Sequence, residues 1–482
     1  MSRGFPPELP ISSEDWARTP AAVQAVVLML WEEVQMLRAK VATLEARVVT
    51  LEERLGQNSQ NSSRPPSTDP PHLPKPQRKP SGRKPGGQPG HEGVGRCLKS
   101  PEEVDEFVEV KPEACAGCGA KLEGSDPHPV RHQVTELPPV RAKVTEYQLH
   151  TLCCAACGAA TCAPLPEGVP GGAFGVRIQA LVGLFTGAYR ISKRNVRDLL
   201  EDCFGVDLAL GSICPLEQAT CEAVAAPVEE ARVYVQAQPA VNMDETGWRQ
   251  DNRRAWLWTA ATALVSVFLV RASRGSKVVC ELLGQTFKGV VGSDRWSAYS
   301  FLPLRRRQVC WGHLKREFQA FVDRGGPSAP IGQALLAQVD QTFGWWYRVR
   351  DGTLARSTFR VYMGAVRGRV TALLRHGQAC AHPKTASTCR EILKVEPALW
   401  TFVRKEGVEP TNNAAERALR HGVLWRKSSF GTQSQAGGQF VERMMTVVTT
   451  LKQQKRNVLD YLTAACEAHL RGKTPPSLLQ TT

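Results

Sequence analysis

Ala240-Val-Asn-Met-Asp244 and Lys288-Gly-Val-Val-Gly-Ser-Asp294 are two short apolar runs that each end in an aspartate. Between them, Ala255-Trp-Leu-Trp-Thr259 and Ala263 to Arg271 have the β-branched and aromatic content of strands. Ser276 to Leu283 has the apolar spacing of a helix. The pattern predicts an α/β sheet in which two strands bring carboxylates to one edge. Carboxylates brought together repel, and a divalent cation removes the repulsion. Magnesium takes oxygen ligands, usually a few carboxylates with water and phosphate completing its shell. Two such ions about 3.5–4 Å apart activate an attacking hydroxyl and stabilise a leaving oxygen in an in-line displacement. That chemistry calls for a third carboxylate from elsewhere in the fold.

Glu416 is the candidate, in Pro410-Thr-Asn-Asn-Ala-Ala-Glu-Arg-Ala-Leu-Arg420. The same residues also suit a capping box, with Asn413 at the N-cap and Glu416 at N3, which needs no chemistry. The spacing leaves both readings open.

The chain has 482 residues and a formal net charge of +15, from 61 Lys and Arg against 46 Asp and Glu. A basic surplus suits a polyanionic partner, because each neutralised phosphate releases counterions. Charge alone does not separate DNA from RNA or an anionic surface. No apolar run approaches the roughly 18 residues of a membrane helix. Met1 to Trp16 mixes charges and prolines, unlike a secretory leader, so a cytosolic chain without a membrane role is expected. The 15 cysteines, an odd number in such a chain, direct attention to local spacing and not to disulfides.

Upstream of the sheet, Val27, Val34, Val41, Val48 and Leu55 repeat every seventh position, as do Leu30, Leu37, Leu44 and Leu51. Valine at a and leucine at d favour a parallel two-stranded coil, and the g–e′ pairs Glu33–Arg38, Lys40–Glu45 and Arg47–Glu52 are all of opposite charge. A leucine-zipper coiled coil over 20–57, pairing the chain as a homodimer or higher oligomer, is therefore expected. Residues 58–100 are rich in Pro, Gly, Ser and basic side chains and read as a disordered basic linker. Cys115-Ala-Gly-Cys118 and Cys154-Ala-Ala-Cys157, each followed by glycine, are two knuckles that together suit a structural Zn2+ with four thiolates, within a zinc-ribbon-like module over 101–170. Strands such as Val140 to Leu149 are expected between them. Residues 171–230 read as a helical, helix-turn-helix-like domain, with Ser192 capping a helix from Lys193 to Phe204 and Gly205 stopping it. Arg194 and Arg197 on it are candidate DNA contacts, although any αα-hairpin has this pattern.

The order and wording of these motifs, from about Leu30 to Leu470, resemble transposases of the insertion sequence 66 family. The matching text is Asn58-Ser-Gln-Asn-Ser-Ser-Arg-Pro-Pro-Ser67 after the zipper, the paired cysteines, Met243-Asp-Glu-Thr246 and Ser293-Asp-Arg-Trp-Ser-Ala-Tyr299. Cys310-Trp-Gly-His-Leu-Lys-Arg316, Asn412-Asn-Ala-Ala-Glu-Arg-Ala-Leu-Arg420, Arg426-Lys427 and Phe430-Gly431 complete it. The resemblance implies an RNase H-like catalytic core over 231–470, with Asp244, Asp294 and Glu416 as its acidic triad for Mg2+ or Mn2+. Residues at about 325–405, helical and carrying Trp345 and Trp346, read as an insertion in that core.

The function expected is metal-dependent cleavage at transposon ends followed by 3′-hydroxyl strand transfer into target DNA, in a bacterial, nucleoid-associated setting. The partners would be double-stranded terminal repeats and target, with accessory proteins of the same element implied by the resemblance alone. The alternative is a non-catalytic or decayed protein that binds terminal repeats. Arg417, Arg420, Arg426 and Lys427 suit phosphate contacts or a solvated basic face. Trp248 suits stacking on an unpaired base or core packing. His313, with Cys310 in a C-x-x-H pair, suits a DNA contact or a structural hydrogen bond. Glu245 alternates to the other side of its strand from Asp244 and is left out of the triad.

Overall fold

A computed structural model describes residues 11–62, 69 and 97–479. Most of the proposed basic linker thus lies outside the described residues. The chain divides into two compact units: residues 1–71, 172–190 and 216–482, and residues 72–171 with 191–215.

The smaller unit is built around two matching turns. Cys115 N–H donates to Ala120 O at 2.8 Å and Gly119 N–H to Cys115 O at 2.9 Å; Cys154 N–H donates to Ala159 O at 2.9 Å and Gly158 N–H to Cys154 O at 2.8 Å. Gly119 and Gly158 both sit at φ 74°, a left-handed position that explains the glycine after each pair. The strands are not where the sequence placed them. β1 (Thr151–Cys153) and β2 (Ala160–Cys162) flank the second knuckle, while 140–149 pairs with nothing in a sheet. Strand pairing goes where a tight turn closes the ladder. After residue 191, α4 (Lys193–Phe204) starts on Ser192, whose side chain accepts from Asn195 N–H, and stops at Gly205 with φ 63°. α5 (Leu210–Ala223) follows, and the division between units falls at Pro215 within it.

In the larger unit, α1 (Ser13–Arg18) and α2 (Ala21–Leu55) come first, and α2 buries none of its residues. α3 (Val176–Gly183) and α6 (Ala225–Gln236) precede a five-stranded sheet of order β5-β4-β3-β6-β7. β3 (Ala240–Gln250), β4 (Arg253–Ala261) and β5 (Ser266–Arg271) form an antiparallel meander. Asp251 and Asn252 turn the first hairpin with φ 51° and 55°, the type I′ geometry that matches strand twist. After α7 (Ser276–Leu283), β6 (Val290–Ser293) and β7 (Arg307–Val309) add in parallel. β3 is longer than the run ending at Asp244, which therefore lies mid-strand, because β4 pairs with it from Asn242 to Gln250.

Six helices separate β7 from the rest of the core: α8 (Trp311–Arg324), α9 (Ser328–Arg350), α10 (Arg356–Gln378), α11 (Pro383–Lys394), α12 (Glu396–Leu399) and α13 (Thr401–Arg404). They share an apolar core with Val290 of β6 and Val309 of β7, in which Trp311 lies against Trp400 at 5.0 Å between ring centres. The excursion starts at α8, earlier than residue 325, because the apolar face of α8 packs into that core. α14 (Asn413–Ser429) then crosses β3 and β4, and Gly422 lets it lie against Leu257, where a Cβ would overlap. α15 (Gln435–Gln453) and α16 (Val458–Leu470) close the unit. α15 runs along the edge strand. Its Glu442, Thr446 and Thr450 side chains accept from the N–H groups of Val270, Phe268 and Ser266 at 2.7, 3.1 and 3.2 Å. Four helical residues rise about 6 Å and two strand residues about 6.8 Å, so the periods match and the open edge is covered.

Candidate active site

The parallel ladder brings the two aspartates together. Ala240, Val241 and Asn242 face Val290, Val291 and Gly292, an offset that, carried two positions on, sets Asp244 beside Asp294. Likewise Val291, Gly292 and Ser293 face Arg307, Gln308 and Val309, so Cys310 falls beside Asp294. Cys310 N–H donates to Ser293 O at 2.9 Å. Glu416 arrives on the first turn of α14. The capping box is not formed: the N-cap is Asn412, it makes no side-chain cap hydrogen bond, and Glu416 falls one position beyond N3. Asn412 is fully buried and ties three elements together, its N–H meeting Cys310 Sγ at 3.5 Å and its Nδ2 meeting Met243 O at 3.5 Å.

Burial, followed by Glu245, Asp294 and Glu416, holds the Asp244 carboxyl well above the usual range. Burial raises Asp294, against the Trp296 N–H, Arg274, Arg307 and Arg295. Burial also raises Glu416, with Arg316 opposing it and Asp294 adding to it. Among the described residues, no Lys or Arg is ion-paired with Asp244 or Asp294.

Glu245 has different partners from Asp244, as strand alternation predicts. It is buried and accepts from Arg274 Nε at 2.8 Å and Tyr299 OH at 2.8 Å. The Arg274 guanidinium lies between the rings of Trp256 and Trp296, at 4.5 and 3.8 Å from their centres. Arg274 and Arg307 were not singled out from the sequence, and Asn412 and Tyr299 entered only as part of quoted motifs flanking the acids. Lone residues far apart in the chain carry no local pattern, and only the fold collects them.

The other candidates separate. His313, on the first turn of α8, has Nδ1 3.6 Å from Glu416 Oε1, and burial, helped by Arg316 and Arg295, lowers its pKa to about 3. Trp248 is 2% exposed and donates its indole N–H to Thr432, so core packing takes it away from any base. Arg426 is engaged by Thr246 Oγ1 and Gly247 O on β3, a tether between elements. Arg417, Arg420 and Lys427 are exposed on α14. Arg194 is exposed on α4, where Arg197 pairs with Asp198. The backbone N–H groups of Gly117 and Cys118 are directed at Cys115 sulfur, and those of Ala156 and Cys157 at Cys154 sulfur. Among the described residues, the His, Cys, Asp or Glu atoms gathered in a group of three within 4.8 Å are those of Cys310, His313 and Glu416; neither the carboxylates of Asp244, Asp294 and Glu416 nor the four knuckle sulfurs are gathered this closely.

The sequence profile of the Transposase IS66 family matches residues 172–440, more than half of the chain and all three carboxylates. The chain belongs to that family. A second profile, a family of unknown function (DUF6444), matches residues 12–97 of this IS66-family chain. Two curated relatives come from Sinorhizobium fredii. The uncharacterized protein y4qI is 25% identical over 236 residues, 43% of this chain and 42% of the relative. The uncharacterized protein y4hP is 24% identical over 391 residues, 73% and 69%. The first match thus spans less than half of its relative's length. No helix among the described residues is long and apolar enough to cross a membrane.

Proposed function

We propose that this chain is a DNA transposase in which Asp244, Asp294 and Glu416 jointly hold Mg2+ or Mn2+, for cleavage at transposon ends and transfer of the freed 3′-hydroxyl into target DNA. The parallel register that aligns Asp244 with Asp294 carries this reading. The sheet order, an antiparallel meander with two parallel strands added, supports an RNase H-like core. The donor set fits a hard divalent cation: three oxygen-bearing groups whose charges burial and mutual repulsion oppose, and which no Lys or Arg among the described residues neutralises by direct pairing. Such ions, when bound, activate the attacking hydroxyl and stabilise the leaving oxygen. Asp244 and Asp294 are presented from a sheet whose strands fix their spacing. The Glu245–Arg274–Tyr299 network holds the loop after β6, since Trp296 donates its indole N–H to Arg274 O at 3.1 Å. The exposure of Arg417, Arg420 and Lys427 on α14 supports contacts to phosphates of double-stranded DNA.

Two further expectations belong to the same proposal. The matching knuckles, each with backbone N–H groups directed at its first sulfur, support a structural Zn2+ held by Cys115, Cys118, Cys154 and Cys157. The exposed seam of α2 supports pairing of two chains.

The test is strand transfer of a labelled end-sequence oligonucleotide with Mg2+ or Mn2+. Asp244→Asn, Asp294→Asn and Glu416→Gln are each expected to lose activity while retaining DNA binding. Full activity in Glu416→Gln would remove the third carboxylate from the site. A wild-type chain that binds the ends but never joins them, with either metal, would favour the non-catalytic alternative.

A further inference from the structure

The C-x-x-H pair has a geometry that the triad does not use. Cys310 ends β7 and caps α8, His313 lies on the first turn of α8, and Glu416 lies on the first turn of α14. One donor atom from each falls within 4.8 Å of the others. The backbone around the sulfur is like that of the knuckles, but burial pushes the Cys310 thiol up to about 11 where the Cys115 thiol is lowered. The N–H groups of Gly312 and His313, two and three residues on, are directed at Cys310 sulfur, as those of Gly117 and Cys118 are at Cys115. Asn412 N–H adds a further donor at 3.5 Å. His313 Nδ1 is buried, and no hydrogen-bond partner meets it among the described residues. A histidine nitrogen left bare beside a cysteine sulfur and a carboxylate oxygen is a ligand set with no occupant in its protein neighbours.

We propose that Cys310, His313 and Glu416 form a binding site for a soft divalent cation, Zn2+, which shares the Glu416 carboxylate with the oxygen-ligated site of the two aspartates. Thiolate and imidazole donors select zinc over magnesium. Zinc takes such ligands at about 2.0–2.3 Å in a tetrahedron, so the three atoms close inward by small side-chain movements on helix first turns. Three protein ligands leave a fourth position for water or for an oxygen of a bound phosphate. Cation binding here clamps the end of β7, the start of α8 and the start of α14. It also determines where the Glu416 carboxylate points; only this last consequence rests on the proposed triad.

The experiment is zinc stoichiometry of the full chain at equilibrium with buffered Zn2+, with Co2+ absorption as the second readout. Cys310→Ser and His313→Gln are each expected to bind about one zinc fewer than wild type and to weaken the thiolate-to-cobalt band, while Cys115→Ser/Cys118→Ser loses a different equivalent. Unchanged stoichiometry in both single variants would overturn the site. If a variant misfolds, zinc K-edge absorption on the wild-type chain decides: mixed sulfur and nitrogen or oxygen shells support the site, and a pure four-sulfur shell refutes it. Because these readouts involve no DNA, they stand apart from strand-transfer activity. Loss of the triad reading with zinc retained, or the reverse, is therefore distinguishable.

Discussion

At Asp244, burial and three neighbouring carboxylates all oppose the charge that a metal would need. An acid whose pKa is higher in the folded chain than in the unfolded one binds an extra proton on folding. Stability is then lost as pH rises from the unfolded value, about 3.9, through the raised folded value. Without divalent cations, Asp244→Asn is expected to melt higher than wild type at pH 7.5, with the gap narrowing toward pH 4. A relief of about 1 kcal/mol corresponds to roughly 2–4 °C in the larger domains. A variant that melts lower at pH 7.5 would mean that the carboxylate is stabilised by partners of its own. Glu416 illustrates what single residues conceal. Its sequence context allowed both a cap and a ligand, and only the fold shows that Asn412 takes the cap position and leaves the carboxylate unused by the helix end.

At the scale of elements, the helix that shields β5 makes a sharper case than any hydrophobic contact. Thr446 accepts from the buried Phe268 N–H, and Thr446→Val keeps the shape while removing the acceptor. A buried donor left unmet costs about 1–3 kcal/mol, so urea unfolding is expected to show a loss in that range. A loss below about 0.5 kcal/mol would show that water or a neighbour replaces it. The abrupt acid after a short apolar run was legible as a local signal, and Asp294 does follow the end of β6, whereas Asp244 lies in the middle of β3. Also legible were the Ser192 cap and the Gly205 stop, which depend on one residue's side chain or φ. The full extent of β3, the strands around the second knuckle and the true start of the insertion were not. Each is decided by what the segment pairs or packs with and not by its own residues: β4 for β3, the knuckle turn for β1 and β2, and the shared apolar core for α8.

For the molecule as a whole, α2 separates two surfaces. Glu53, at an f position of the heptads, meets Lys384, Arg324 and His382 at 2.6, 3.8 and 3.4 Å, fixing the end of α2 to the insertion helices. Leu37, Leu44 and Leu51, at d, stay exposed. A chain paired through that seam would keep Glu53 where it is, because f points away from the partner. Leu37→Lys with Leu44→Lys is expected to shift the sedimentation of the full chain toward the monomer while leaving its far-ultraviolet spectrum near that of wild type. An unchanged oligomeric state would exclude the seam as the interface. Sequence periodicity made the seam readable; the grip on Glu53 was invisible there, since its three partners lie hundreds of residues away.

The insertion leaves and re-enters the core at a single place. Trp311 N–H donates to Pro410 O at 2.9 Å, directly beside the Asn412 contact with Cys310. Between these ends the helices share an apolar core with Val290 and Val309 of the sheet, and Glu53 of α2 grips Lys384, Arg324 and His382. Doubling the length of a closed loop adds only about 0.6 kcal/mol of entropy. The excursion is, however, anchored along β7 and by α2 as well as at its neck, so added length is tolerated only where it stays clear of those contacts.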